Sequence, residues 1–213
     1  MFACISEVGL SATYNFVGGL EKFSYLLSDD VQVALSLLES FFQMNLEKVR
    51  SLPIGFQPVA AFVPEDIAMK NTLLFSPEFL RRELFPRLKV IVDAYHSKGI
   101  KVIFHSDGNL WSVMDDLMDC GIDALNPIES AAGMDVGDLR KRYPSLVLLG
   151  GIDSSYLLPF SSAEEIRTVA RKTILNAGRG YFPGSTSEVH NSIPLENYLA
   201  FYYEVTSGVC AKE

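Results

Sequence analysis

The chain has 213 residues, 48% of them hydrophobic, enough to bury a sizeable core, and no composition shift or linker divides it, so one domain over 1–213 is expected. A formal net charge of -8 argues against nonspecific binding to nucleic acid or to an anionic membrane, while leaving room for a local basic patch. No apolar run is long enough to span a bilayer, Met1-Phe-Ala-Cys-Ile-Ser-Glu7 lacks the features of a signal peptide, and the irregularly spaced Cys4, Cys120 and Cys210 suggest no disulfide framework; a reducing, cytoplasmic setting is expected.

Strand-like runs fall at Phe2 to Ser6, Pro58 to Val63, Val102 to His105, Ile122 to Asn126, Leu146 to Gly150 and Tyr181 to Pro183, alternating with helical patterns as in a parallel α/β sheet. A first long helix is expected from about Ser28-Asp29-Asp30 to Arg50, with Leu35, Leu38, Phe42, Leu46 and Val49 near helical spacing. A second starts at Ser76-Pro77-Glu78, an N-cap followed by a first-turn proline and an acid, and ends before Gly99; Pro86 should kink it. Others begin near Leu110, near Ser162-Ala163-Glu164-Glu165 and near Pro194-Leu195-Glu196. Six strands are two short of a (β/α)8 TIM-type barrel, which points to a partial barrel whose N-terminal units are missing upstream of Met1.

The chemistry gathers at the strand ends. Lys101-Val-Ile-Phe-His-Ser-Asp-Gly-Asn109 is a short apolar strand that delivers His105 and Asp107 into a tight turn, where a parallel sheet places its ligands. Imidazole and carboxylate together suit zinc or another divalent ion; the alternative is an Asp-Gly turn with His105 hydrogen-bonded beneath it. Glu65 and Asp66 end the preceding strand and could split acid and base roles, or simply open a solvated loop. Lys70 either pairs with Glu65 or binds a substrate carboxylate, and Glu129 and Asp153 extend the ring of acids after later strands, Asp153 with N-capping as its other reading. His190 in Gly184-Ser-Thr-Ser-Glu-Val-His190 is a further candidate ligand or a solvent-loop residue, while His96, late on a helix, reads as a surface residue. Cys120 reads as packing and Cys210 as part of a fraying tail.

Six segments in order, Glu65-Asp-Ile-Ala-Met-Lys70, Phe75-Ser-Pro-Glu-Phe79, Phe104-His-Ser-Asp-Gly-Asn109, Gly133-Met-Asp135, Gly150-Gly-Ile-Asp153 and Ile193-Pro-Leu-Glu-Asn-Tyr198, resemble the uroporphyrinogen decarboxylase superfamily and its cobalamin-dependent methyltransferase relatives. The resemblance implies a (β/α)8 barrel, of which this chain looks like the C-terminal two-thirds, and it matches Tyr14 to an active-site tyrosine of the decarboxylases. It places Asn109 and Ser187 beside the substrate-binding candidates Lys70, Glu129 and Asp153. In the methyltransferases a His-x-Cys pair and a later cysteine bind zinc; here the histidine matches His105, and Asp107 and Ser187 stand where the two thiolates would be. The arginines and essential aspartate of the decarboxylases belong to a part of the barrel this chain does not contain. The resemblance therefore implies methyl transfer first, from a corrinoid or another methylated substrate, with a metal held by His105, Asp107, Glu65 and His190 and a corrinoid protein as partner. Porphyrinogen decarboxylation in porphyrin biosynthesis comes second. An inactive truncated remnant or binding module, able to form a homo-oligomer through its open edges, is the alternative of a different class.

Overall fold

The computed structural model describes residues 2–53, 55 and 58–207, so Cys210 lies outside the described residues. Along them, β1 (Phe2–Ile5), β2 (Ala60–Pro64), β3 (Lys101–His105), β4 (Ala124–Ile128), β5 (Val147–Ile152) and β6 (Tyr181–Ser185) alternate with helices, giving the expected α/β class and a partial TIM-type barrel architecture. The chain divides into two compact units, the first made of residues 1–67, 73–106 and 112–123, the second of 68–72, 107–111 and 124–213.

In the first unit β2 pairs in parallel with β1 and with β3, and Pro64 stands level with His105 at the carboxyl end. Ala60, Ala61, Val63, Val102, Ile103 and Phe104 are buried, the near-continuous apolar run of strands covered on both faces. Three helices connect β1 to β2: α1 (Leu10–Phe16), α2 (Leu20–Asp29) and α3 (Val31–Arg50). The long helix starts and ends where the sequence places it: Asp30 leaves the helical conformation and accepts the Val33 N–H at 3.1 Å as an N-cap, and Arg50 is the last helical residue. Leu38, Phe42, Leu46 and Val49 form its buried stripe, as their spacing predicts, while Leu35 is only half-buried; each such buried apolar side chain stabilises by about 1.5–3 kcal/mol.

The helical run before β3 consists of α4 (Pro77–Phe79), a π turn at Leu80–Leu84 and α5 (Phe85–His96). Ser76 caps it by accepting the Phe79 N–H at 3.2 Å. Pro86 has no N–H for the Arg82 carbonyl and its ring would press on that group, so the expected kink takes the form of a widened turn just ahead of it. Gly99, at φ +73°, ends the run, with its N–H on His96 O and the Ile100 N–H on Tyr95 O. After α6 (Met114–Asp119), β4 begins two residues later than expected because Asp123 is spent on β3: its N–H donates to Val102 O at 3.0 Å and its carboxylate accepts the Val102 N–H at 2.9 Å.

In the second unit β4, β5 and β6 pair in parallel, with Ile152 level with Ser185. Its helices are α7 (Val136–Arg142), α8 (Leu157–Phe160), α9 (Ala163–Ala177) and α10 (Leu195–Ser207). Asp135 and Ser162 cap α7 and α9 through the N–H groups of Asp138 and Glu165. Ile152, Leu158, Ile166, Ala170, Ala200 and Phe201 make one apolar cluster beneath these helices. No helix among the described residues is long and apolar enough to cross a membrane.

Candidate active site

The carboxyl ends of β2 and β3 are tied together residue by residue. The N–H of Glu65 donates to His105 O at 2.8 Å, that of Asp66 to Ser11 Oγ at 3.1 Å, and that of Ile67 to Ser106 Oγ at 3.1 Å. Three consecutive amides thus fix this turn to α1 and to the end of β3. His105 Nε2 lies 3.7 Å from Asp66 Oδ1, with the His105 side chain one quarter exposed and that of Asp66 about half exposed, at 51%. The ring of Phe62, on β2, stands 5.3 Å from the imidazole and supplies one apolar wall.

Glu65 is wholly buried, and its two oxygens accept the N–H groups of Gly9 at 2.5 Å and Ser11 at 2.8 Å. Burial pushes its carboxyl up to about 7, against the pull of those two amides. Tyr14 lies on α1 one turn after Ser11; its phenol is raised above the usual tyrosine value, first by burial and further by the carboxylates of Asp66, Glu65 and Glu7, with Ser11 pulling the other way. Tyr14, Glu65, Asp66 and His105 therefore share one end of the first unit. Ser11 and Ser106 were missed by sequence reasoning, although each had a signal: Ser11 is one helical turn before Tyr14, and Ser106 separates His105 from Asp107.

The other predicted residues belong to the second unit. Gly108 donates its N–H to Glu129 Oε2 at 2.8 Å, and Asn109 donates its backbone N–H to Met69 O at 2.9 Å and its Nδ2 to Ala132 O at 2.8 Å. Lys70 is exposed and its Nζ stands 5.7 Å from the centre of the Tyr156 ring. Asp153 accepts the N–H groups of Ser155, Tyr156 and Leu157 and so closes the turn ahead of α8, whose N-cap position is Tyr156. His190 Nε2 lies 3.0 Å from Ser154 O, and Ser187 hydrogen-bonds its neighbour Glu188. The family-like segment around Asn197 also has a structural use: the buried Asn197 amide donates to Leu158 O and Ser161 O, closing the end of α8.

Cys120 is a buried free thiol that donates to Phe85 O, and burial raises it to about 12, in keeping with packing. His96 faces Asp123, with Nε2 at 2.7 Å from Oδ2.

Residues 55–207 match the family described as uroporphyrinogen decarboxylase (URO-D), which is more than half of the chain. The chain belongs to the URO-D family. A search of curated proteins gives no match. Among solved structures, a methyltransferase from Methanosarcina mazei is similar, with a TM-score of 0.70 at 17% identity over 96% of this chain and 58% of that one. This URO-D chain thus spans less than two thirds of that protein's length, and the likeness establishes its fold.

Asp107 follows His105 by two residues on the chain, joined through Ser106, and the candidate metal-holding group among the described residues comprises Asp66, His105 and Asp107. One imidazole and two carboxylates fit a divalent ion of borderline or hard character, and the thiolates that would favour a sulfur-rich zinc site are absent from this group. Glu65, whose oxygens serve α1, and His190 stand outside it.

Proposed function

We propose that this URO-D chain acts in methyl transfer, taking the methyl group of a small methylated compound or of a corrinoid presented by a partner protein. The observation that carries the reading is the close pairing of His105 with Asp66 at the carboxyl ends of adjacent strands, followed at once by Asp107. The methyltransferase identity of the Methanosarcina mazei structure supports it. A divalent ion held by Asp66, His105 and Asp107 would lower the pKa of a thiol or water and so supply a nucleophile at neutral pH.

The chain's own residues provide the rest. The acceptor gives up its proton to solvent, its sulfur or oxygen forms the bond to the methyl carbon, and the donor keeps the electron pair of the bond that breaks. Tyr14, protonated at neutral pH, donates a hydrogen bond at this end, and Phe62 limits water around the imidazole. In the second unit, Lys70 offers a cation to a substrate carboxylate, while Glu129, Asn109 and Asp153 hold their loops in shape and Ser187 adds a hydroxyl. The same Tyr14 favours a second reading, decarboxylation of an acidic porphyrinogen side chain, in which the phenol hands a proton to the carbon that loses carbon dioxide.

Incubation of the purified chain with methylcobalamin and a small thiol, followed by the cobalamin absorbance spectrum, tests the reading. Thiol-dependent demethylation is expected, with a fall of about 100-fold or more in His105→Ala. Carbon dioxide release from uroporphyrinogen without demethylation would move the assignment to the second reading. Neither activity in a folded sample would leave the binding-module alternative.

A further inference from the structure

We infer that Glu65 is a positioning residue, a latch that holds α1 against the end of β2 and thereby sets Tyr14 beside Asp66. Helix α1 has only 7 residues, and its N-cap is Gly9, at φ +128°, which brings no side chain to the first turn. The donors of that turn would otherwise lack partners in the protein interior. Glu65, which is 56 residues away from Gly9 in the chain, supplies both acceptors, one oxygen to Gly9 and the other to Ser11.

The latch is continuous with the chemistry on both sides. Glu65 precedes Asp66 in the chain, the Asp66 N–H donates to Ser11 Oγ, and Tyr14 follows Ser11 by one turn of the same helix α1. On the other side the Glu65 N–H holds His105 O. With both oxygens engaged and no exposed surface, Glu65 acts through α1 and does not touch substrate. Glutamine at this position keeps the size but offers one accepting oxygen. Its NH2 would face an N–H, so the first turn of α1 loosens and Tyr14 moves relative to Asp66.

Fluorine NMR of the full chain carrying 3-fluorotyrosine tests this, with the Tyr14 resonance assigned by its loss in Tyr14→Phe. In Glu65→Gln the Tyr14 resonance is expected to shift or broaden selectively, while those of Tyr181 and Tyr198 in the second unit stay in place. Glu65→Asp, which keeps the carboxylate one methylene shorter, should give a smaller change of the same kind and serves if Glu65→Gln does not fold.

The kinetic arm alone rests on the methyl-transfer reading. There kcat should fall about 10- to 100-fold in Glu65→Gln with KM little changed, and Glu65→Gln/Tyr14→Phe should be no slower than the worse single variant. An unmoved Tyr14 resonance in folded Glu65→Gln, additive kinetic losses, or failure of both Glu65 variants to fold would overturn the latch. Wild-type chain without methyl transfer would overturn the reading of function and leave the resonance experiment to decide the latch.

Discussion

His105 Nε2 and Asp66 Oδ1 stand 3.7 Å apart because the Glu65 N–H, one residue before Asp66, donates to the carbonyl of His105 itself. The pair is therefore set by strand register, and a divalent ion should find it already assembled. Zinc, cobalt or manganese content measured by elemental analysis after dialysis is expected to be near one per chain in the wild type. It should be lost in His105→Ala and strongly reduced in Asp66→Asn, with affinity weakened by about 100-fold or more, while far-UV circular dichroism stays unchanged. A folded wild-type chain that takes up none of these ions would remove the metal from the proposed mechanism.

Two carboxylates should drive stability in opposite directions with pH. Glu65 titrates near 7 in the folded chain against an ordinary 4.5, so between these values the folded state holds a proton that the unfolded state has released. Stability should fall as pH rises through that window, by at most about 3 kcal/mol, and then level off. Asp123 is the reverse case. Burial works against its charge, but Lys101, the Val102 N–H and His96 together hold its carboxyl below the usual value, so its contribution is present above the ordinary pKa and lost as pH falls through the folded one. Urea midpoints from about pH 3 to about pH 8 should lose the neutral-range slope in Glu65→Gln and the acid-range slope in Asp123→Asn.

The sequence carried those parts of the structure that depend on neighbouring residues. Ser76 and Asp30 cap their helices within three positions, Gly99 ends a helix with its own backbone, and the apolar runs of β2 and β3 declare strands covered on both faces. His105 and Asp66 were legible as well, because a residue at a strand's carboxyl end needs only correct strand boundaries to be placed. Glu65 was not, since its partner Gly9 lies 56 residues away and nothing local distinguishes a carboxylate that caps a distant helix from one that faces substrate. Helix α2 (Leu20–Asp29) went unread for another reason: it is short and Phe23 is its one buried residue among those described, so it presents little apolar periodicity. Asn197 entered the sequence reading only as part of a family-like segment, and its structural use was illegible because its amide serves carbonyls up to 39 residues earlier.

Arg140 should be irreplaceable by lysine. From α7 its guanidinium donates to five carbonyls of the segments leading into β5 and β6: Ala177 at 2.7 Å, Tyr143 at 3.4 Å, Pro144 at 2.9 Å, Leu146 at 2.7 Å and Gly180 at 3.0 Å. A planar fork with five donors can serve these directions together, and a single ammonium cannot. Arg140→Lys is expected to destabilise by about 1–3 kcal/mol in urea unfolding, with loss of hydrogen-exchange protection confined to the second unit. An unchanged midpoint would show that water replaces the guanidinium without cost.

Two glycines with similar backbones should respond differently to alanine, and the difference isolates crowding from conformation. Gly108 and Gly99 both adopt positive φ, +90° and +73°, so each substitution carries the left-handed penalty of about 1–2 kcal/mol. A methyl group at Gly99 meets nothing within 4 Å, whereas one at Gly108 would stand 2.6 Å from Met69 O and 2.7 Å from the Ala68 carbonyl carbon. Those neighbours are backbone atoms that cannot swing aside. Gly108→Ala must therefore push apart the segments 68–72 and 107–111, stretching the Asn109 N–H to Met69 O bond and the Gly108 N–H to Glu129 bond together. Its expected cost exceeds that of Gly99→Ala by about 2 kcal/mol or more, with faster exchange of the Asn109 amide. Equal losses in the two variants would mean that the loop at Gly108 yields freely, and that the close approach of these two segments does not hold Lys70 and Asn109 in place.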